Sequence, residues 1–179
     1  YDKRALNDDD VVTGQLTAIS LASAGTLALK NDASVKMTPL LQTSKISQRI
    51  DAKLVRGQIN PAAILKQFKS ENKSFTIAAR FSGKVKSAFP DGPPKPKKDV
   101  KKKAKESDGD KKPVKLAPHL GESKTDLNMI VMADSDLLTS RFWLQQQDFF
   151  GQKISSPVSN NADFLVNSLE NLGGSQALI

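Results

Sequence analysis

No cysteine occurs anywhere in the 179 residues, which excludes a disulfide framework, a thiol nucleophile, a thiolate zinc site and a redox switch together. Histidine occurs once, as His119. A multi-histidine metal site is thereby excluded, and a Ser-His-Asp triad would have to use that one residue. No Gly-x-Ser-x-Gly elbow accompanies it, because Ala24-Gly25 and Phe81-Ser82-Gly83 do not fit that pattern. Its setting, Ala117-Pro118-His119-Leu120, reads as an exposed loop position. A glycine-rich phosphate loop is missing as well: Gly173-Gly174 closes a helical pattern instead of opening one, the wrong polarity for an anion. No run of about 18 apolar residues exists, and the first residues lack the charged, apolar, small-residue layout of a signal peptide. No internal repeat or heptad pattern is present, which removes solenoids and coiled coils. No cofactor is implied by any of these patterns.

Charge is present in quantity but unevenly placed. Lys and Arg number 27 against 19 Asp and Glu, a formal net charge of +8, which taken alone points to a polyanion or an acidic membrane surface. Residues 91–115 hold ten of the lysines and five acids, a local +5, so the remaining 17 basic and 14 acidic residues carry only +3. Six of the nine prolines fall in 90–118 beside that lysine run, with almost no large apolar side chain. Such a stretch cannot bury enough surface to offset its ordering entropy, and it reads as a disordered Lys/Pro-rich insertion within a domain. The lysines could contact phosphate weakly, but no aromatic is interleaved for base stacking and no Arg for base-edge readout. No nucleic-acid partner is expected, while contact with some other anionic surface stays open.

Outside the insertion the pattern is α/β. Residues 15–29 mix period-two alternation with a Ser/Gly turn and predict two short strands. Val35 to Leu41 predicts another, with Pro39 belonging at an edge or bulge, and Ile50 to Val55 is a weaker strand candidate. Asn60-Pro61 reads as N-cap and first residue of a short helix with Ile64, Leu65 and Phe68 on one face. Phe75, Ile77, Ala79 and Phe81 alternate with Thr76, Ala78 and Arg80, a half-buried strand that ends at Gly83. Met129 to Ala133 is an unbroken apolar run, which predicts a strand covered on both faces. Leu137 to Phe150 is expected to be helical. A last helix starts at Asn160, has Asp163 three residues on, and carries Ala162, Leu165, Val166, Leu169 and Leu172 on one face before Gly173-Gly174. A strand, two helices and a new strand at Ala177-Leu178-Ile179 imply a right-handed βαβ crossover and a mixed sheet flanked by helices.

Two groups are candidates for function. Asp134-Ser135-Asp136 follows the apolar run directly, where α/β sheets usually bind ligands. Two carboxylates flanking a hydroxyl could offer hard oxygen ligands to a divalent cation or accept a phosphosugar. The plainer alternative is that Ser135 or Asp136 caps the following helix and Asp134 satisfies loop amides. Phe142-Trp143 and Phe149-Phe150 put four bulky aromatics within nine residues, more than one helix can turn inward, so an edge around Trp143 is expected to form a docking surface.

The segments Met129–Ser140 (MIVMADSDLLTS), Arg141-Phe142-Trp143, Gln147–Gln152 (QDFFGQ), Ser159–Phe164 (SNNADF) and Gly174–Ile179 (GSQALI) resemble the soluble region of GldG-like proteins. Thr38–Ser44 (TPLLQTS) and Ala88–Pro94 (AFPDGPP) resemble further blocks of the same family. That family comprises accessory components of bacterial ABC transport systems, named for gliding motility. The resemblance implies an extracytoplasmic domain, on the periplasmic face of the inner membrane, similar to class I glutamine-amidotransferase or flavodoxin-like folds. Its partners would be the permease and ATPase of the same system, and membrane anchoring would come from segments of a longer parent chain. No catalytic residue carries over, and the Cys-His chemistry of an amidotransferase is impossible without cysteine. On this reading 1–179 is a single α/β domain or part of one, without enzymatic activity, that binds a transporter partner or its cargo through Asp134, Ser135, Asp136 and Trp143. The alternative is a metal- or phosphosugar-binding or hydrolytic domain centred on Asp134 and Asp136.

Overall fold

A computed structural model describes residues 1–55, 60–92 and 118–174. Residues 93–117 of the expected Lys/Pro insertion, and the strand expected at Ala177–Ile179, lie outside the described residues.

The central element is β2 (Thr76–Gly83), flanked by β1 (Lys36–Gln42) and β3 (Leu127–Met132) in the order β1-β2-β3. Both pairings are antiparallel. In β2 the first four residues, Thr76 to Ala79, are buried on both faces, so the strand expected to be half-buried is the one that runs through the core. It ends at Gly83, whose φ of +113° suits only glycine. The apolar run expected to be covered on both faces is instead an edge strand, with Met129 40% exposed. Hydrophobicity alone does not separate those two situations.

Pro39 lies on the edge strand β1, where a missing N–H is tolerated, and the register slips between Pro39 and Leu41. The slip places Leu40 and Leu41 inside together, both fully buried, which regular alternation would forbid. The carbonyl of Leu40 then accepts the Asn7 N–H at 3.0 Å, and Asn7 Nδ2 donates to Pro39 O at 2.9 Å. The N-terminal segment thus lies along the outer edge of the sheet.

That segment is irregular. Where two strands were expected over 15–29, the chain makes only single bridges, Ala18 with Asp2 and Leu27 with Thr76. Its buried apolar residues, Leu6, Val12, Leu16 and Ile19, follow no two-residue period, yet they join Leu40, Leu41, Ile77, Ala78, Leu137 and Phe164 in one core. The expected strand at Ile50–Val55 is a short 3-10 turn, Ala52–Val55. Helix α1 (Pro61–Lys66) forms as expected, with Asn60 Oδ1 accepting the Ala63 N–H at 3.1 Å. Its apolar face is not buried: Leu65 is 73% exposed.

The second half departs furthest from expectation. Leu137–Phe150 is not a long helix. A single turn, α2 (Ser140–Trp143), passes directly into β4 (Leu144–Phe149), which pairs antiparallel with β5 (Gln152–Pro157) as a separate hairpin. All pairings among the described residues are antiparallel, so the mixed sheet and the βαβ crossover are not found there. The described sheets give no support to the flavodoxin-like or amidotransferase-like resemblance.

Helix α3 (Asn161–Leu172) is present, but rotated from its expected orientation. Asn161, Phe164 and Ser168 are its buried residues, while Val166, Leu169 and Leu172 are exposed. The cause is the irregular segment beneath it. Coil carries backbone groups with no ladder to satisfy them, and α3 answers with amides. Asn161 bonds both backbone groups of Ser20, and Asn167 Nδ2 donates to Val12 O at 3.1 Å, while Asn171 Oδ1 accepts from the Arg80 side chain of β2 at 2.7 Å.

Candidate functional site

β3 delivers the Asp134 loop. Ala133 anchors its start, donating to Ile77 O at 2.8 Å and accepting the Gly25 N–H at 2.6 Å. Asp134 Oδ1 then accepts the Asp136 N–H at 2.8 Å, an Asx turn that closes the loop on itself. Asp136 contributes its carbonyl to the Thr139 N–H at 2.8 Å. Asp134 therefore satisfies a loop amide, in line with the plainer reading. Neither Ser135 nor Asp136 caps the helix, because Thr139 holds the N-cap position of α2 and makes no side-chain cap bond. Ser135 is exposed, and Asp136 is half-buried.

The second oxygen of Asp134, Oδ2, is buried with no hydrogen-bond partner. Its charge is felt at Tyr1, whose phenol is pushed above its ordinary pKa first by burial and then by the Asp134 carboxylate. The phenol stays protonated as a donor, and Asp134 is an acceptor with free capacity. Among the described residues no group of three or more His, Cys, Asp or Glu side chains converges to hold a metal ion.

Trp143 ends α2 and is half-buried, with its indole N–H enclosed and without an acceptor. Its carbonyl accepts the Val158 N–H at 2.8 Å, which pins the root of the β4–β5 hairpin. Among the described residues no hydrogen bond or ion pair joins Trp143 to Asp134–Asp136. Beside Trp143 the Arg141 guanidinium covers the Phe142 ring at 4.6 Å.

The exposed aromatics lie at the far end of that hairpin. Phe149 is 61% exposed and Phe150 is 93% exposed, with ring centroids 4.7 Å apart in an edge-to-face pair. Phe150 and Gly151 form the two-residue turn, with φ of +51° and +81°. Positive φ at both central residues defines a type I′ turn, which favours Asn-Gly or Asp-Gly. A bulky side chain in the left-handed region costs about 1–2 kcal/mol. Gly151 N–H to Asp148 Oδ1 at 2.9 Å helps hold the turn. Reading 137–150 as helix hid this feature. The available signal was Phe-Gly set between two six-residue segments, one of them rich in glutamine.

Two open clefts lie elsewhere. One of about 690 Å³, open to solvent, is lined by Tyr1, Arg4, Ala18, Thr43, Ser44 and Ser47. Its neighbour, of about 590 Å³, shares Arg4, Thr43 and Ser44. Neither is lined by Asp134, Ser135, Asp136 or Trp143. Arg4 is engaged with Asp2, and its hydrogen bonds hold that exposed carboxylate below its ordinary pKa.

A family model described as an ABC-type uncharacterized transport system matches residues 1–168. No curated protein and no solved structure matches the chain.

Proposed function

The chain belongs to the ABC-type uncharacterized transport system family, and from that premise we propose that it is a non-enzymatic accessory domain that binds the permease–ATPase assembly of its system. ATP hydrolysis falls to another subunit in this reading. The domain is held at the periplasmic face of the inner membrane by other parts of its parent chain.

The observation that carries the binding role is the β4–β5 hairpin. Every residue from Gln145 to Val158 is exposed, and an isolated two-stranded hairpin is marginally stable in water. Its tip spends backbone strain on a phenylalanine that touches little of its own chain, an exchange that makes sense when a partner receives the ring. Phe149 and Ile154 share one face of the hairpin, and their register neighbours Gln147 and Gln152 are uncharged. Low charge around aromatic anchors is the composition of a protein interface centre. A projecting tip suits a protein partner better than a small cargo, which needs a concave pocket. The Asp134–Asp136 loop and Trp143 at the root of the hairpin complete the proposed contact region.

Phe150→Asn separates stability from binding. Asparagine tolerates the left-handed conformation, so this variant should be more stable than the parent by about 1 kcal/mol in urea unfolding. Co-purification with the permease–ATPase assembly in nanodiscs should fall at least about tenfold, as for loss of an aromatic hot spot. Undiminished co-purification would remove the hairpin from the interface.

A further inference from the structure

Between β1 and β2 the chain leaves the sheet as a built arm. Its stem is closed by Thr43 N–H to Phe75 O and Phe75 N–H to Thr43 Oγ1, both at 2.9 Å. Further out, Glu71 N–H donates to Ser47 O and Lys69 N–H to Gln48 Oε1, each at 2.9 Å. The Glu71 carboxylate accepts the Arg49 N–H at 2.9 Å and its guanidinium at 3.1 Å. Beyond the stem lie the Ala52–Val55 turn and α1.

Among the described residues from Thr43 to Ser74 none is buried. The arm nevertheless carries five exposed large apolar residues: Ile46 (74%), Ile50 (40%), Leu54 (53%), Leu65 (73%) and Phe68 (47%). Single exposed apolar residues are ordinary, but here the described residues of a whole substructure include five large apolar side chains and none that is buried. The arm also carries Lys45, Lys53, Lys66, Lys69 and Lys73, with Arg56 outside the described residues, while Glu71 is already matched by Arg49 and only Asp51 remains as a further acid. The Phe68 N–H bonds Leu65 O at 3.2 Å, so these two residues sit one turn apart. Lys66 is the last residue of α1 and Lys69 follows Phe68 directly, so a cation adjoins each of the two apolar residues in the chain.

We propose that this arm docks on an anionic phospholipid bilayer, with Leu54, Leu65 and Phe68 entering the interface and the lysines meeting headgroup phosphates. Apolar residues collared by cations are the composition of interfacial segments, and long lysine stems let the ammonium groups reach the headgroups while the body lies deeper. The choice of cation favours lipid over an acidic protein. Lysine is depleted at protein interfaces, where arginine is enriched for its fixed fork. A fluid layer of phosphates asks only for charge.

The test is co-sedimentation of the full chain with vesicles of phosphatidylcholine, with and without about 30% phosphatidylglycerol. Binding should require the anionic lipid and weaken strongly at about 0.5 M salt, where screening is short-ranged. Leu65→Ser with Phe68→Ser should lower binding at least about tenfold while leaving circular dichroism and the unfolding midpoint unchanged, because both side chains are exposed. Lys53→Gln, Lys66→Gln and Lys69→Gln together should lower it about a hundredfold. Replacing the ten lysines of 91–115 with glutamine should leave arm-dependent binding in place. Failure to bind anionic vesicles, equal binding to neutral ones, or loss of binding only when 91–115 is neutralised would each overturn the proposal. Permease co-purification is unaffected by these outcomes, so the hairpin reading stands or falls separately.

Discussion

Asn161→Ala is expected to lower the unfolding free energy by about 3–5 kcal/mol, a large share of the 5–15 kcal/mol typical of a domain. The side chain is completely buried and uses its whole amide. Oδ1 accepts the Ser20 N–H at 3.0 Å and the Ser159 hydroxyl at 2.9 Å. Nδ2 donates to Ser20 O and to Leu137 O, both at 2.7 Å. The backbone donor and acceptors fix which end is oxygen and which nitrogen. Alanine strands the buried carbonyl of Leu137 and both part-buried backbone groups of Ser20, and a group left unpaired and buried costs about 1–3 kcal/mol. Three chain segments separate at once, because Asn161 ties the N-terminal coil and the end of the Asp134 loop to α3.

Asn161→Asp tests the mechanism at nearly constant volume. At neutral pH it points carboxylate lone pairs at two carbonyl oxygens, so the variant should be at least as unstable as alanine. The repulsion raises the folded-state pKa of the introduced carboxyl above its unfolded value of about 3.9. The deficit relative to the parent is therefore largest at high pH and shrinks as the group protonates, since a protonated acid can donate once. A deficit independent of pH would count against the amide geometry. Leu169→Ser is the companion measurement. Leu169 is 60% exposed, so the change should stay within about 0.5 kcal/mol, whereas an inward Leu169 would cost several times that.

These two residues also show how far the sequence could be read. The leucine and valine spacing of α3 identified the helix and its bounds, because periodicity and the Asn160 and Gly173-Gly174 stops are local signals. It pointed the wrong face inward, because the partner of α3 is coil whose need for hydrogen bonds no pattern announces. α1 with its Asn60 cap, Pro39 at an edge and the Gly83 stop of β2 were legible for the same local reason. The β4–β5 hairpin was not: Gln145-Gln146-Gln147 are good helix formers, and Phe-Gly is an unusual I′ turn. At the candidate site, Asp134 as a loop-closing acceptor was readable from Asp-x-Asp itself. The half-buried position of Trp143 followed from the hairpin and was hidden with it.

Arg80→Ala is expected to cost about 3–5 kcal/mol by leaving Asp10 charged and enclosed without its partner. Arg80 Nε and Nη2 meet Asp10 Oδ2 and Oδ1 at 2.9 Å each, a bidentate pair whose side chains are only 18% and 11% exposed. Nη1 reaches Asn171 Oδ1 at 2.7 Å and Asn128 Oδ1 at 3.2 Å, so one guanidinium joins the coil, β3 and α3 to the central strand. Arg80→Lys should recover little of the loss, because an ammonium cannot make that fork. Arg80→Met with Asp10→Leu should be far milder than either single change, since removing both charges leaves nothing unpaired.

The same pair sets an acid limit. Burial pushes the Asp10 carboxyl up, but the Arg80 hydrogen bonds, the Val12 N–H and the guanidinium charge outweigh it and hold the pKa below the ordinary value. Below the unfolded-state pKa of about 3.9 the unfolded chain binds the proton that the folded chain still refuses. The contribution is therefore fully present above that pH and is lost as pH falls through the lower folded-state value. Urea unfolding from about pH 7 down to about pH 2 should show this loss in the parent. The Arg80→Met, Asp10→Leu variant should lack the Asp10 share of it, and an acid slope equal to that of the parent would mean that the pair contributes no linkage.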